Sequence, residues 1–254
     1  MIQFDNISFR YAHDIEVFRD LRVGIAAGEQ ILIVGRNGAG KSTFLKLLNG
    51  IVRPGSGDVT VGGLSTQKHP TSRLAAEVSV TFQNPAHQIF ASTVLQEAEF
   101  APKSLRRKNP RERAQEALRL FKLNKQAKSH PYDLSLAHRK LLTLASAVAA
   151  DTPALAFDEP SVNLSRPEQL ILLEAFEVLK KSGKTILIVS HDLELFLPIC
   201  TRVLILNDGK ATFFDAPEAL VRNQNPLRRS GVRLPLVHRL RPYCGLSPIP
   251  HPGA

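Results

Sequence analysis

Gly35-Arg36-Asn37-Gly38-Ala39-Gly40-Lys41-Ser42-Thr43, with the apolar run Gln30-Ile31-Leu32-Ile33-Val34 in front of it, decides how the rest of the chain is read. Glycine, four residues, then Gly-Lys-Ser is the spacing of a phosphate-binding loop. Glycines let backbone N–H groups close around phosphates, the lysine reaches the β- and γ-phosphates, and the serine hydroxyl ligates Mg²⁺. These last two roles fall on Lys41 and Ser42. The flanks supply the context the motif needs. Ile31 to Val34 reads as a buried parallel strand, and Ser42 to Asn49 as a helix with Phe44, Leu45 and Leu48 inward and Gly50 closing it. The dipole of that helix adds to phosphate binding.

Outward from the loop, Ile2-Gln3-Phe4 and Ile7-Ser8-Phe9 alternate apolar and polar about the turn residues Asp5-Asn6, and Val59-Thr60-Val61 follows a turn-rich stretch. Antiparallel strands are expected there. Four later apolar runs each end at a polar residue: Val78 to Phe82 before Gln83, Ala154 to Phe157 before Asp158, Thr185 to Val189 before Ser190-His191, and Val203 to Leu206 before Asn207. They read as strands of a parallel sheet, beyond whose carboxyl ends ligands bind, so Gly35, Gln83, Asp158 and His191 should converge on one crevice. Between Gln83 and Pro153 the pattern turns helical. Ala114, Ala117, Leu118 and Phe121 share one face, and Leu136 to Ala150 is too apolar to be exposed. The expected fold class is therefore α/β, a mixed sheet with an antiparallel β portion and an inserted helical subdomain at approximately 84–150 of a domain spanning 1–224. Residues 225–254 lack acidic side chains, are rich in proline and read as a basic tail.

Composition bounds the function. The 254 residues, 43% hydrophobic, suit one large α/β domain with a small subdomain. The most apolar window, Leu141 to Phe157, is broken by Asp151 and Pro153, and Met1 to Asp5 does not open a signal peptide. A cytoplasmic chain with at most a peripheral membrane role is expected. Cys200 and Cys244 are too few for a disulfide framework and lack metal-ligand spacing. The net charge of +10 is concentrated: residues 103–140 carry 12 Lys/Arg against 3 Asp/Glu, and residues 222–254 carry 6 against none. Such local excess suits contact with anionic lipid or an acidic partner as well as a simply solvated face.

Asp158-Glu159 after the strand Ala154 to Phe157 supplies two carboxylates with different jobs: Asp158 to hold Mg²⁺ through water, Glu159 to polarise the water attacking a γ-phosphate. His191 is placed to hydrogen-bond the γ-phosphate, Gln83 to sense it or bind Mg²⁺, and Tyr11 to stack on adenine through its ring face.

In their order along the chain, Gly35 to Thr43, Gln83, Leu134-Ser135, Ala154 to Pro160 and His191 resemble an ABC-type ATPase over roughly residues 1–220. Phe82-Gln83-Asn84-Pro85-Ala86-His87-Gln88-Ile89-Phe90-Ala91-Ser92-Thr93-Val94 is similar to the Q-loop of energy-coupling-factor (ECF) importers of cobalt, nickel, biotin and other vitamins. Ser230 to Pro235 is similar to a C-terminal stretch of the same group. The resemblance implies a P-loop NTPase fold and a peripheral ATPase on the cytoplasmic face of the membrane. ATP with Mg²⁺ would be sandwiched between two ATPase subunits, docked on an integral membrane coupling protein with a solute-binding membrane subunit. The ATP contacts it implies are Tyr11, Gly35, Arg36, Asn37, Gly38, Ala39, Gly40, Lys41, Ser42 and Thr43, with Ser135 acting across the dimer. Ser42, Gln83 and Asp158 would hold the metal; Glu159, His191 and Gln83 would serve catalysis.

The family signature Leu-Ser-Gly-Gly-Gln here reads Leu134-Ser135-Leu136-Ala137-His138, and Ser165 stands where relatives usually carry an aspartate. Elements acting in trans are altered while those acting in cis are kept, which favours a heterodimer with a second ABC ATPase. The competing reading is a non-transport ABC ATPase that binds nucleic acid or acts as an ATP-dependent regulatory module. The basic segment lacks interleaved aromatics and the chain lacks a long heptad insertion, so no nucleic acid is expected. A small-molecule kinase would share the loop but leave the order of Gln83, Asp158-Glu159 and His191 unexplained.

Overall fold

The structure, a computed structural model, describes residues 1–12, 15–223 and 225–232. The stretch Gln30–Val34 (β3) is buried along its whole length because both faces of its sheet are covered. Its odd and even residues serve different cores. Ile31 and Ile33 point into one apolar cluster with Phe44 and Leu48, while Leu32 and Val34 point into another with Phe157 and Phe176.

The first cluster lies under a four-stranded antiparallel sheet in the order β2-β1-β4-β5, formed by Ile2–Tyr11 (β1), Ile15–Ile25 (β2), Ser56–Val61 (β4) and Leu64–Ser65 (β5). The second sheet runs β10-β9-β3-β8-β7-β6. Val78–Thr81 (β6), Ala154–Asp158 (β7), Thr185–Val189 (β8) and Arg202–Asn207 (β9) join β3 in parallel, and Lys210–Asp215 (β10) closes one edge antiparallel. The four parallel runs read from sequence are these strands.

The opening segment differs from its reading. Asp5 and Asn6 do not turn the chain; β1 continues through them with a register shift between Phe4 and Ile7, and Asn6 takes φ 49°. One extra residue opposite β2 makes a bulge, which keeps Phe4, Ile7 and Phe9 inward without breaking the ladder.

Lys41–Leu48 (α1) packs between the sheets, with Phe44 stacked on Phe4 at 4.0 Å between ring centroids. Thr71–Leu74 (α2) follows β5. Between β6 and β7 lie Val94–Ser104 (α3), Pro110–Leu120 (α4) and Leu136–Ala149 (α5), which pack on one another through Val94, Ala98, Ala117, Leu118, Leu141 and Leu144. Arg166–Lys181 (α6) covers the sheet with Leu172, Phe176 and Leu179, and Leu193–Phe196 (α7) follows β8.

Pro217–Arg222 (α8) and Asn225–Arg229 (α9) end the described chain. The described part of the proline-rich tail is anchored: Leu227 is 1% exposed and belongs to the second core cluster. A Cβ at Gly231 would lie 3.2 Å from Arg36 Cδ, so the described end of the chain comes close to the phosphate loop. Residues 233–254, including Cys244 and the end of the Ser230 to Pro235 stretch, lie outside the described residues. Among the described residues no helix is long and apolar enough to cross a membrane.

Candidate nucleotide site

The phosphate loop leaves β3 at Gly35 and enters α1 at Lys41, and backbone geometry dictates its glycines. Gly40 adopts φ 92°, and a Cβ there would sit 2.7 Å from Val17 Cγ1. At Gly35 a Cβ would lie 2.4 Å from the Leu206 carbonyl oxygen. The loop therefore closes tightly on β2 and β9, with the N-terminus of α1 facing outward as an anion site.

Lys41 is 8% exposed, and its Nζ donates to the Gly35 carbonyl at 2.7 Å and the Arg36 carbonyl at 3.0 Å. Burial pulls its pKa down, opposed by the negative charge of Glu159 and Asp158. Ser42 Oγ donates to Asp158 Oδ2 at 2.8 Å. Asp158 ends β7 and is 5% exposed; burial raises its carboxyl pKa, while the Ser42 hydrogen bond and the Lys140 and Lys41 charges oppose the rise.

Glu159 turns off β7 with φ 48°, its N–H donating to the Val189 carbonyl at 2.8 Å. That pairing with the neighbouring strand fixes where its side chain emerges. Its Oε1 lies 3.3 Å from His191 Nε2, and Ser190 Oγ donates to Oε2 at 3.3 Å. Burial raises the Glu159 pKa, and the nearby His191 charge is the largest effect opposing it. A carboxylate held by its neighbours and opening on a cleft has the geometry of a general base.

That cleft, about 790 Å³, brings together Tyr11, Asn37, Gly38, Gly40, Lys41, Ser42, Thr43, Gln83, Asp158, Glu159 and His191. Tyr11 also shares a hydrogen bond with Thr43 Oγ1 at 3.2 Å. Arg36 and Ala39 line a smaller adjoining hollow with Glu16 and Arg19. Ser135 lies apart from the cleft. It caps α5, accepting from the His138 N–H at 3.2 Å, and its hydroxyl is 3.1 Å from His138 Nδ1. Ser165 caps α6 in a reciprocal capping box with Glu168.

Sequence reasoning missed Ile15 and Val17, which line the cleft, because β2 was not recognised as a strand, and it gave no cleft role to Val162, which lines it from the turn after β7. It also missed Lys140 on α5, 1% exposed, whose Nζ meets the carbonyls of Phe82, Gln83 and Asp158. Burial pulls its pKa down to about 8. Cys200 is buried, which pushes its thiol pKa up and removes it from nucleophilic chemistry.

A phosphate loop after β3, a histidine just past the adjacent strand β8 and a carboxylate pair at the end of β7 beyond it, in a mixed sheet with an inserted helical unit, define an ABC-type ATPase. The family model described as "ABC transporter" matches residues 18–162, and the chain belongs to that family. It is similar to a putative ABC transporter ATP-binding protein of Pyrococcus furiosus, 32% identical over 251 residues that cover 98% of this chain and 95% of the relative. Its relatives include the energy-coupling factor transporter ATP-binding protein EcfA of Methanothermobacter thermautotrophicus, 30% identical over 249 residues covering 95% and 80% of the two chains. Among solved structures, CbiO1 of Clostridium perfringens, part of the ABC transporter complex CbiONQ, shares the fold with a TM-score of 0.79 at 23% identity, covering 95% of this chain and 98% of that one. The ATP-binding cassette MJ0796, in a dimeric post-hydrolysis state with ADP and Pi, shares it at 0.77 and 23% identity over 85% of this chain and 99% of that one.

Proposed function

We propose that the chain hydrolyses Mg²⁺-ATP to energise an ECF-type importer of a metal ion or vitamin, in an asymmetric heterodimer with a second ABC ATPase. It works at the cytoplasmic face of the membrane, bound to an integral membrane coupling protein that serves a solute-binding subunit. Lys41, the N–H groups of Asn37 to Thr43 and the Tyr11 ring bind the nucleotide; Glu159 takes the proton of the attacking water while His191 and Gln83 hold the γ-phosphate end. Ser42, Asp158 and Gln83, oxygen donors that fit a hard cation, would hold Mg²⁺, which would supply neutralisation of phosphate charge.

The observation that carries the heterodimer is the exposed Leu136. Its side chain, 47% exposed in the first turn of α5, stands beside the Ser135 hydroxyl where relatives present bare glycine backbone. A second copy of this chain would meet its own ATP with that altered turn; a different ATPase would supply an intact one. Docking on the coupling protein is supported by an apolar groove of about 410 Å³ between α3 and the β6 edge, where Phe90 and Phe100 are 63% and 51% exposed and meet edge to face. The segment from Gln83 to Phe90 joins this groove to the ATP cleft, so a helix of the coupling protein seated there acts on the site through that segment.

The test is light scattering and phosphate release on the isolated chain with Mg²⁺-ATP. No stable homodimer and little turnover are expected; a stable homodimer with brisk turnover contradicts the asymmetric assembly.

A further inference from the structure

The hydrogen-bonded ladder between β6 and β7 ends at the pair Thr81 and Phe157. Beyond it the two strands part, one into Phe82-Gln83, the other into Asp158-Glu159. The carbonyls just past this fork are held by Lys140 Nζ, at 3.4 Å from Phe82 O, 3.2 Å from Gln83 O and 3.2 Å from Asp158 O. An ammonium has three N–H donors and no acceptor, so three carbonyls use its full capacity. Lys140 is 1% exposed, and among the described residues no carboxylate lies within ion-pair distance of it. A buried ammonium without an ion-pair partner is costly to keep, and here its hydrogen bonds go to the two backbone segments that present Gln83 and Asp158. It stands on α5, whose N-cap is Ser135.

We propose that Lys140 is a positioning residue that fixes the fork, setting the separation of Gln83 and Asp158 for one Mg²⁺ and tying that site to the helix that presents Ser135 to the other subunit. The inference rests on the Mg²⁺-ATP reading above. Phe82 and Gln83 have no β-ladder partner across the fork, so without Lys140 the start of the loop is free to move away from Asp158. Phosphate contacts made by Lys41 and the loop N–H groups do not pass through the fork and stay intact.

The test compares wild type, Lys140→Met and Lys140→Arg as full chains, titrating a fluorescent ATP analogue with Mg²⁺ and with EDTA. Wild type is expected to bind about tenfold or more tightly with Mg²⁺. In K140M that enhancement should shrink to less than about threefold while the affinity in EDTA stays within about twofold of wild type, and K140R should restore most of it. Full Mg²⁺ enhancement in K140M overturns the proposal, and so does equal weakening in Mg²⁺ and EDTA, which is what general loss of packing produces. A wild type without Mg²⁺ enhancement overturns the metal reading and this proposal together, which separates the two failures. If K140M does not fold, Lys140→Gln against K140R decides by the same criterion: loss of the enhancement in K140Q with retention in K140R supports the clamp, and any other pattern overturns it.

Discussion

Ser42 Oγ donates to Asp158 Oδ2 at 2.8 Å, joining the first turn of the phosphate-loop helix to the end of the strand that leads into Asp158 and Glu159. Two oxygen donors far apart in sequence thus meet beside the loop, as coordination of one cation requires.

Replacing Ser42 by alanine removes one donor and leaves the buried Asp158 carboxylate without its hydroxyl partner. Nucleotide affinity with Mg²⁺ should fall about tenfold or more, and affinity in EDTA much less. A fluorescent nucleotide titration measures both; equal losses would place Ser42 outside metal binding.

Glu159→Gln should lower ATP turnover in the assembled transporter by about 10²–10⁴-fold with nucleotide affinity retained. The pH dependence follows from the raised Glu159 pKa, which burial causes and the His191 charge opposes. A raised pKa keeps the base protonated to higher pH, so the acid limb of the rate profile should lie above the ordinary carboxylate range. Removing the opposing charge with His191→Ala should move that limb further up. A limb in the ordinary carboxylate range in both proteins would mean that Glu159 is not the base.

Leu136→Gly with Ala137→Gly restores backbone access at the first turn of α5. Turnover at the second subunit's site should rise, measured in an assembly where Glu159→Gln silences this chain's own site. An unchanged rate would show that the larger side chains are tolerated.

Asp151 tests the account away from the cleft. Burial raises its carboxyl pKa, but the hydrogen bond and charge of Lys184 at 2.6 Å and of Arg113 at 2.6 Å outweigh it, and the net shift is downward. A lowered folded-state pKa gives stability that is present above the unfolded value and lost as pH falls through the folded one. Asp151→Asn should therefore cost about 1 kcal/mol at neutral pH, a figure already reduced for the carboxylate's partial exposure. The difference from wild type should close below about pH 4, as thermal melts across pH can show. Asparagine tolerates the φ of 49° there, so backbone strain does not confound the comparison.

The parallel strands were legible because each is a short apolar run ending at a polar residue, and the ends of those runs delivered Gln83, Asp158 and His191 to the cleft. Strand β2 was not legible. Its alternation is broken at Asp20, where φ is 52° and the register against β1 shifts between Phe18 and Leu21, so no period of two runs through it. Helix α6 does carry a signal, with Leu172, Ala175, Phe176 and Leu179 at helical spacing. Lys140 was beyond reach. In sequence it is one of many basic residues in a helical stretch, and only the tertiary fork between Gln83 and Asp158 gives its charge a task.

The most direct test of the transport reading is affinity purification of tagged Glu159→Gln protein from detergent-solubilised membranes in Mg²⁺-ATP, followed by identification of the chains that come with it. Loss of the base should trap the ATP-bound assembly. Recovery of a second ABC ATPase together with an integral membrane protein is the predicted result. Recovery of a soluble chain alone, or of nucleic acid, would contradict it and favour a non-transport ATPase.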